Sequence, residues 1–244
     1  MTARTVVRKK VRPSYWASPV GWRVLQAVIA FLVRLVYRYQ VTGQENLPKQ
    51  GPAILAVNHL HLFDPAIVAT LLPYQVVTLA AAKWKKHWLI RSILKMAGVI
   101  FVKRGAVDRQ ALRESIEVLE NRGVLAIAPE GTRSRAHQLQ RGKPGIAYLA
   151  LRTNAIIVPI AFWGVEKLAE WRRLRRPRCH VVVGRPFRLP QLPGRPSTGQ
   201  LQELADLVMI QIGRLLPPSY RGYYADRIAA IEAGQRPALD VTPV

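Results

Sequence analysis

His59 and Asp64 stand in the run Asn58-His59-Leu60-His61-Leu62-Phe63-Asp64-Pro65. The apolar run 53–57 before it reads as a buried strand. Pro65 suits the first position of a helix, with Asp64 before it as a cap. A strand end, a short loop and a helix start can fold an aspartate back onto a histidine five residues earlier. A carboxylate on one imidazole nitrogen fixes the tautomer and leaves the other nitrogen free to take a proton. The plain alternative is that Asp64 only caps and His59 only fills a loop. His59 and His61 also form an alternating pair of the kind that binds metal on a strand. Further ligands are missing from the sequence around them, so the metal reading is set aside.

No G-x-S-x-G elbow is present. The only cysteine, Cys179, sits beside His180, and neighbours on a strand face opposite ways, so Cys179 reads as a buried filler. A base without a protein nucleophile leaves the substrate as nucleophile, through a hydroxyl or an amine.

Two more clusters carry charge. Pro129-Glu130-Gly131-Thr132-Arg133-Ser134 follows the apolar run 124–128. Backbone N–H groups near a glycine can face an anion, and an arginine fork suits phosphate or carboxylate. Lys103-Arg104-Gly105 follows the apolar run 99–102. Open α/β sheets place ligands at the carboxyl ends of their strands. If the sheet is parallel, His59/Asp64, Lys103/Arg104 and 130–133 all lie on one edge.

The elements that must position these residues alternate. Apolar runs at 53–57, 76–80, 99–102, 124–128 and 156–162 read as buried strands. Helical stretches lie between them at 65–72, 86–97, 108–121 and 146–152. Asp108 suits an N-cap and Gly123 a helix stop. The alternation predicts an α/β fold, a largely parallel sheet flanked by helices. A last strand is expected at 179–184. A proline-rich connection follows over 186–196, then an amphipathic helix over 200–216. The division read from this is a basic arm and interface helix over 1–39, a domain over 40–216, and a C-terminal tail over 217–244, a surface wrap or a partly disordered end.

The chain has 244 residues, with 37 lysines and arginines against 14 acids, a net charge of +23. One cysteine excludes a disulfide framework and a four-cysteine zinc site. The basic excess calls for an anionic partner. Residues 1–107 hold 16 of the cations and two acids, Glu45 and Asp64. Within 16–39, a helix places Arg23, Gln26, Arg34 and Arg38 in one sector, with Leu25, Val28, Ile29, Leu32, Leu35, Val36 and Tyr39 opposite. A signal peptide is rejected for want of a cleavage site. The uncharged run 24–33 is about half of what a span needs. The pattern fits a helix lying in an anionic membrane interface.

Together these residues resemble the glycerophospholipid acyltransferase family, in particular its 1-acylglycerol-3-phosphate acyltransferases. The family's Asn-His-x4-Asp looks like Asn58-His59 and Asp64. Its strand ending in a basic residue looks like 98–104. Its Pro-Glu-Gly-Thr-Arg-Ser matches 129–134 residue for residue, and its proline-bearing strand looks like 157–161. The lead-in 43–48 is also family-like, so the resemblance covers about 40–190. Two departures bear on the acceptor: His61 stands where Ser is usual, and Lys83-Trp84-Lys85-Lys86 replaces a less basic stretch.

The resemblance implies acyl transfer from a thioester, acyl-CoA or acyl carrier protein, to an acceptor hydroxyl in phospholipid synthesis. His59 would deprotonate that hydroxyl and Asp64 would orient His59. Lys83, Lys103, Arg104, Glu130, Gly131, Thr132 and Arg133 would form the substrate site, with N–H groups near Gly131 facing the oxyanion. No metal or redox cofactor is implied. The expected place is the cytoplasmic face of a membrane, as a monotopic or peripheral protein. Acceptors other than lysophosphatidate are glycerol 3-phosphate, another lysophospholipid or an amine-bearing lipid. The rival class is a non-enzymatic nucleic-acid binder, favoured by the net charge and by five arginines within 172–178. No known nucleic-acid-binding motif supports it, and no nucleic-acid partner is expected.

Overall fold

The computed structural model describes residues 18–103, 105, 107–173, 175–235 and 239–244, with the backbone alone at 171–173. Arg104 and the basic arm over 1–13 lie outside the described residues. In chain order the elements are α1 (Pro19–Val36), β1 (Arg38–Thr42), β2 (Ala53–Val57), α2 (Asp64–Leu71), β3 (Val76–Ala81), α3 (Trp88–Met96), β4 (Val99–Val102), α4 (Arg109–Glu120) and β5 (Val124–Ile127). There follow α5 (Gly145–Thr153), β6 (Ile156–Trp163), β7 (Arg178–Val183), β8 (Phe187–Arg188), α6 (Thr198–Arg214), α7 (Ala225–Glu232) and β9 (Thr242–Pro243).

The strands form one sheet in the order β1-β7-β6-β2-β5-β3-β4, with β8 and β9 attached through β6. Strands β2 to β6 are mutually parallel, and β7 runs antiparallel to β6. The expected α/β fold with a largely parallel sheet is therefore what the chain adopts. All five residues of β2 are buried, as a central strand covered on both faces must be. Alternation splits the core. Ile54, Ala56, Leu125 and Ile157 pack against α4, α5 and α6, whereas Ala53, Leu55, Val57 and Val158 pack against α1 and α2. Asp108 caps α4, its carboxylate accepting the N–H groups of Gln110 and Ala111, both at 3.1 Å.

Three features depart from the sequence reading. The N-terminal helix stops at Val36 and the chain turns into β1, which pairs in parallel with β7, Arg38 opposite Arg178. Tertiary contacts override the helical pattern there. Tyr37 is buried and its hydroxyl donates to Val165 O at 3.1 Å, while Arg176 Nη2 donates to the carbonyls of Arg34 and Tyr37. Gln26 does not face outward with the arginines; its amide donates to Ala69 O and Leu72 O, closing the end of α2. The segment after Pro217 carries α7, and Tyr224 and Ile228 are fully buried. The Tyr224 hydroxyl donates to Asp206 Oδ1 at 2.7 Å and accepts the Gly142 N–H at 2.9 Å.

Helix α1 buries Trp22 and Val33 and leaves Val20, Val24, Val28, Phe31, Leu32 and Leu35 exposed. Its 18 residues are long and apolar enough to cross a membrane by length and composition, because the helix begins before the uncharged run 24–33.

Candidate active site

The parallel strands bring four strand ends to one edge. His59 follows β2, Lys83 follows β3, Lys103 follows β4, and 130–133 follow β5. His59 Nδ1 lies 2.8 Å from Asp64 Oδ2. The same oxygen accepts the backbone N–H groups of Leu60 at 2.7 Å and His61 at 2.8 Å. Asp64 is thus the first residue of α2 and caps the loop before it rather than its own helix. With Oδ2 serving as the acceptor of two amides, the network assigns the proton of the pair to Nδ1. His59 Nε2 makes no hydrogen bond among the described residues and stays available. Asp64 is 2% exposed, and its Oδ1 has no hydrogen-bond partner among the described residues. Burial raises its carboxyl above the ordinary value, while the three hydrogen bonds pull the other way.

Two further bonds hold His59 through its backbone. Its N–H donates to Glu130 Oε1 at 3.0 Å and its carbonyl accepts the Ser134 N–H at 2.9 Å. Glu130 Oε2 accepts from Gln140 N at 3.2 Å and Gln140 Nε2 at 3.1 Å. Burial pushes the Glu130 carboxyl up to about 7, against those hydrogen bonds. Asn58 is fixed in turn: its Nδ2 donates to Phe162 O at 2.8 Å and its Oδ1 accepts the Phe162 N–H at 2.9 Å. Gln140 and Phe162 were not singled out in the sequence, because neither stands in a charged motif, and Ser134 was read only as part of its motif, without its bond to His59. Their role appears only when distant segments meet.

His59, Asp64 and Gly131 line a slot that runs into the domain between α2 and the sheet. Its walls are small and mostly apolar: Val57, Val68, Thr78, Ala80, Ala126 and Ala128. Among the described residues lining it there is no serine and no cysteine. Cys179 is fully buried among Val181, Phe162 and their neighbours, and burial pushes its thiol up to about 12, so it is no nucleophile.

The cations follow the strand ends beside the slot and do not line it. Lys83, Lys103 and Arg133 are exposed, and none has an ion-pair partner among the described residues. Arg133 lies near enough to His61 for its charge to help lower that imidazole's basicity, second to burial and opposed by Asp64. Thr132 is exposed, and its carbonyl accepts from Gln140 Nε2 at 3.4 Å. Gly131 has φ +70, a conformation L side chains rarely adopt, and its N–H donates to Ala128 O at 3.0 Å. That N–H is engaged and does not face the slot as a free oxyanion donor. A Cβ at Gly131 would stand 3.0 Å from Lys143 Nζ, a cation near the site that sequence reading did not select. Its signal was weak, since it lies outside the charged motif. Among the described residues no group of three metal-ligating side chains converges.

A family model described as Acyltransferase covers residues 38–163. Over 128 residues the chain is 33% identical to the 1-acyl-sn-glycerol-3-phosphate acyltransferase of Borreliella burgdorferi, spanning 52% of this chain and 51% of that protein. It therefore spans about half the length of that relative. The Bacillus subtilis protein of the same name is 25% identical over 178 residues, 72% of this chain and 87% of its own length. The crystal structure of the 1-acyl-sn-glycerophosphate acyltransferase PlsC from Thermotoga maritima superposes with a TM-score of 0.60 at 19% identity, covering 88% of this chain and 81% of that one. That likeness establishes a shared fold. The family model takes in β1 through β6, and with them His59, Asp64 and all of 129–134, so the chain belongs to the Acyltransferase family.

Proposed function

We propose that this chain transfers a fatty acyl group from a thioester, acyl-CoA or acyl carrier protein, to the hydroxyl of a lysophosphatidate-type acceptor. The observation that carries the reading is His59: its Nδ1 is held by buried Asp64 and its Nε2 is free at the mouth of an apolar slot. An apolar slot suits a fatty acyl group, and a base beside it suits deprotonation of an incoming hydroxyl.

In this reading His59 Nε2 takes the proton as the acceptor oxygen attacks the thioester carbonyl. The C–O bond forms, the C–S bond breaks, and Nε2 returns the proton to the leaving sulfur. Asp64 holds the tautomer and stabilises the imidazolium. No acyl-enzyme, metal or redox cofactor is called for. Lys83, Lys103 and Arg133 hold the acceptor phosphate at the strand ends, Arg104 joins them on the strength of its motif alone, and Glu130 positions His59. The family resemblance and the names of the Borreliella and Bacillus relatives favour lysophosphatidate over glycerol 3-phosphate, another lysophospholipid or an amine-bearing lipid.

The test is one acceptor panel, incubated with acyl-CoA and with acyl carrier protein, the products resolved as lipids. Phosphatidate is the expected product; turnover of only a phosphate-free acceptor would overturn the assignment.

The proposed place of action is the cytoplasmic face of an anionic membrane. The exposed apolar side of α1 and the eight cations of 1–39, which contain no acid, support it. Deleting 1–39 is expected to release protein to the soluble fraction, and high salt to weaken binding only in part.

A further inference from the structure

Helix α3 buries none of its nine residues. Trp88 is 78% exposed, Leu89 55%, Ile93 42% and Met96 48%. At about 100° per residue these four fall within an arc of roughly 140°, while Arg91 and Lys95 flank it on one side. Ile90 and Leu94 supply the half-buried inward face. An apolar arc this wide on a water-facing helix costs hydration unless something covers it.

Three observations say what covers it. The surroundings are cationic: residues 65–107 contain no acid, and Lys83, Lys85, Lys86, Arg91 and Lys95 are all exposed. The helix touches α1, whose own apolar side is uncovered, so the two exposed faces are neighbours. And α3 joins β3 to β4, whose residues Thr78, Ala80 and Val102 line the slot beside His59. A tryptophan at one end, an apolar arc and a cationic border are the marks of a helix seated at headgroup level.

We propose that α3 is a second bilayer-inserting element, placing Trp88, Leu89, Ile93 and Met96 among the acyl chains of an anionic leaflet and their lysine border at its phosphates. This rests on the membrane reading given above. It adds that the catalytic domain grips the membrane on its own, beside the slot. The single-pass path of an acyl chain from leaflet to slot is then bordered by α3 rather than by the N-terminal helix alone.

The test uses the full chain with an environment-sensitive fluorophore on a cysteine placed at Ile93, and separately at Val28 on α1; native Cys179 is buried and does not compete. Vesicles of phosphatidylglycerol and phosphatidylcholine carry a quencher on their acyl chains. Both labels are expected to shift to the blue and to be quenched. A response at 28 with none at 93 overturns the role of α3 while leaving membrane binding intact. Silence at both positions sinks the two readings together. A shift at 93 that needs no vesicles and grows with protein concentration means a second copy covers the face, and also overturns the proposal. As a second measurement, Ile93→Asp lowers partition into these vesicles by about 10- to 150-fold, the equivalent of losing one buried aliphatic side chain. Its turnover of a short-chain, water-soluble acceptor stays within about twofold of wild type.

Discussion

Glu130 Oε1 accepts the backbone N–H of His59 at 3.0 Å, joining the end of β5 to the end of β2. Ser134 completes the clamp by donating to the carbonyl of the same histidine. The imidazole is therefore aimed by its side chain through Asp64 and by its backbone through 130–134. Glu130 acts as a positioning residue. Glu130→Gln keeps an acceptor for His59 but presents an NH2 group to the two donors of Gln140. The expected result is a loss in kcat of about tenfold or more with little change in KM. A second readout is pH. Burial raises the Glu130 pKa from 4.5 to about 7, so between these values the folded state binds more protons than the unfolded. Wild-type stability falls as pH rises through that window, by no more than about 3.5 kcal/mol, and the glutamine variant lacks this slope. Melting temperatures of both proteins from pH 4.5 to 7 check it. A wild type that gains on the variant as pH rises contradicts the placement.

His59→Ala is expected to cost at least roughly 100-fold in kcat, the low end for general acid–base catalysis. Asp64→Ala loses activity too, but it also strips the acceptor from the amides of Leu60 and His61, at about 1–3 kcal/mol of stability. Asp64→Asn separates the two effects, because an amide oxygen can still accept from those groups while carrying no charge to stabilise an imidazolium. Its fold should hold and its turnover should not. His61→Ala is expected to be mild, since its ring lies against Phe63 and its hydrogen bond to Asp64 is made by the backbone N–H, which the substitution keeps. Near-normal turnover of a well-folded His59→Ala removes the base from the mechanism.

The sheet and the strand-end edge were legible because buried parallel strands read as unbroken apolar runs, and motif residues followed each run directly. What was not legible came from contacts between distant segments. Tyr37 and Arg38 continue a helical pattern, yet the Tyr37 bond to Val165 and the Arg176 cap turn them into a strand entry. Gln26 looks like part of a solvated face and instead closes α2. Asp64 looks like a helix cap and instead serves the loop before it. A single side chain's partner is set by the fold, and periodicity cannot name it.

The slot's far end makes a prediction about chain length. Thr78 pairs with Ala126, which pairs with Leu55, four residues before His59 along β2. At about 3.3 Å per residue that level lies about 7 Å inside the carboxyl end of β2, beyond which His59 stands. Thr78→Leu fills the slot there without touching His59 or Asp64. Activity should shift towards shorter acyl donors, with the long-chain kcat/KM falling about tenfold or more. Equal losses for every chain length would mean the acyl group lies elsewhere.

Arg133 tests the phosphate. Its alternative role, pairing with Glu130 to shape the loop, is taken by Gln140 and His59, which occupy both carboxylate oxygens. The guanidinium is left exposed, near His61 and without an ion-pair partner among the described residues. An arginine fork matches phosphate oxygens in geometry and charge. Charge-assisted bonds of this kind contribute about 1.5–3 kcal/mol each. Arg133→Ala should therefore lower kcat/KM by roughly 10- to 150-fold for a phosphate-bearing acceptor, mostly through KM. Arg133→Lys should rescue only in part, because an ammonium cannot make the paired contact. Stability should change little, since no internal bond is lost. The deciding quantity is a ratio: kcat/KM for the phosphate acceptor over that for its dephosphorylated analogue, in wild type and in Arg133→Ala. A fall in that ratio assigns the phosphate to Arg133. A ratio that survives the mutation moves the phosphate to the lysines at the ends of β3 and β4, and Lys83→Ala and Lys103→Ala then carry the loss.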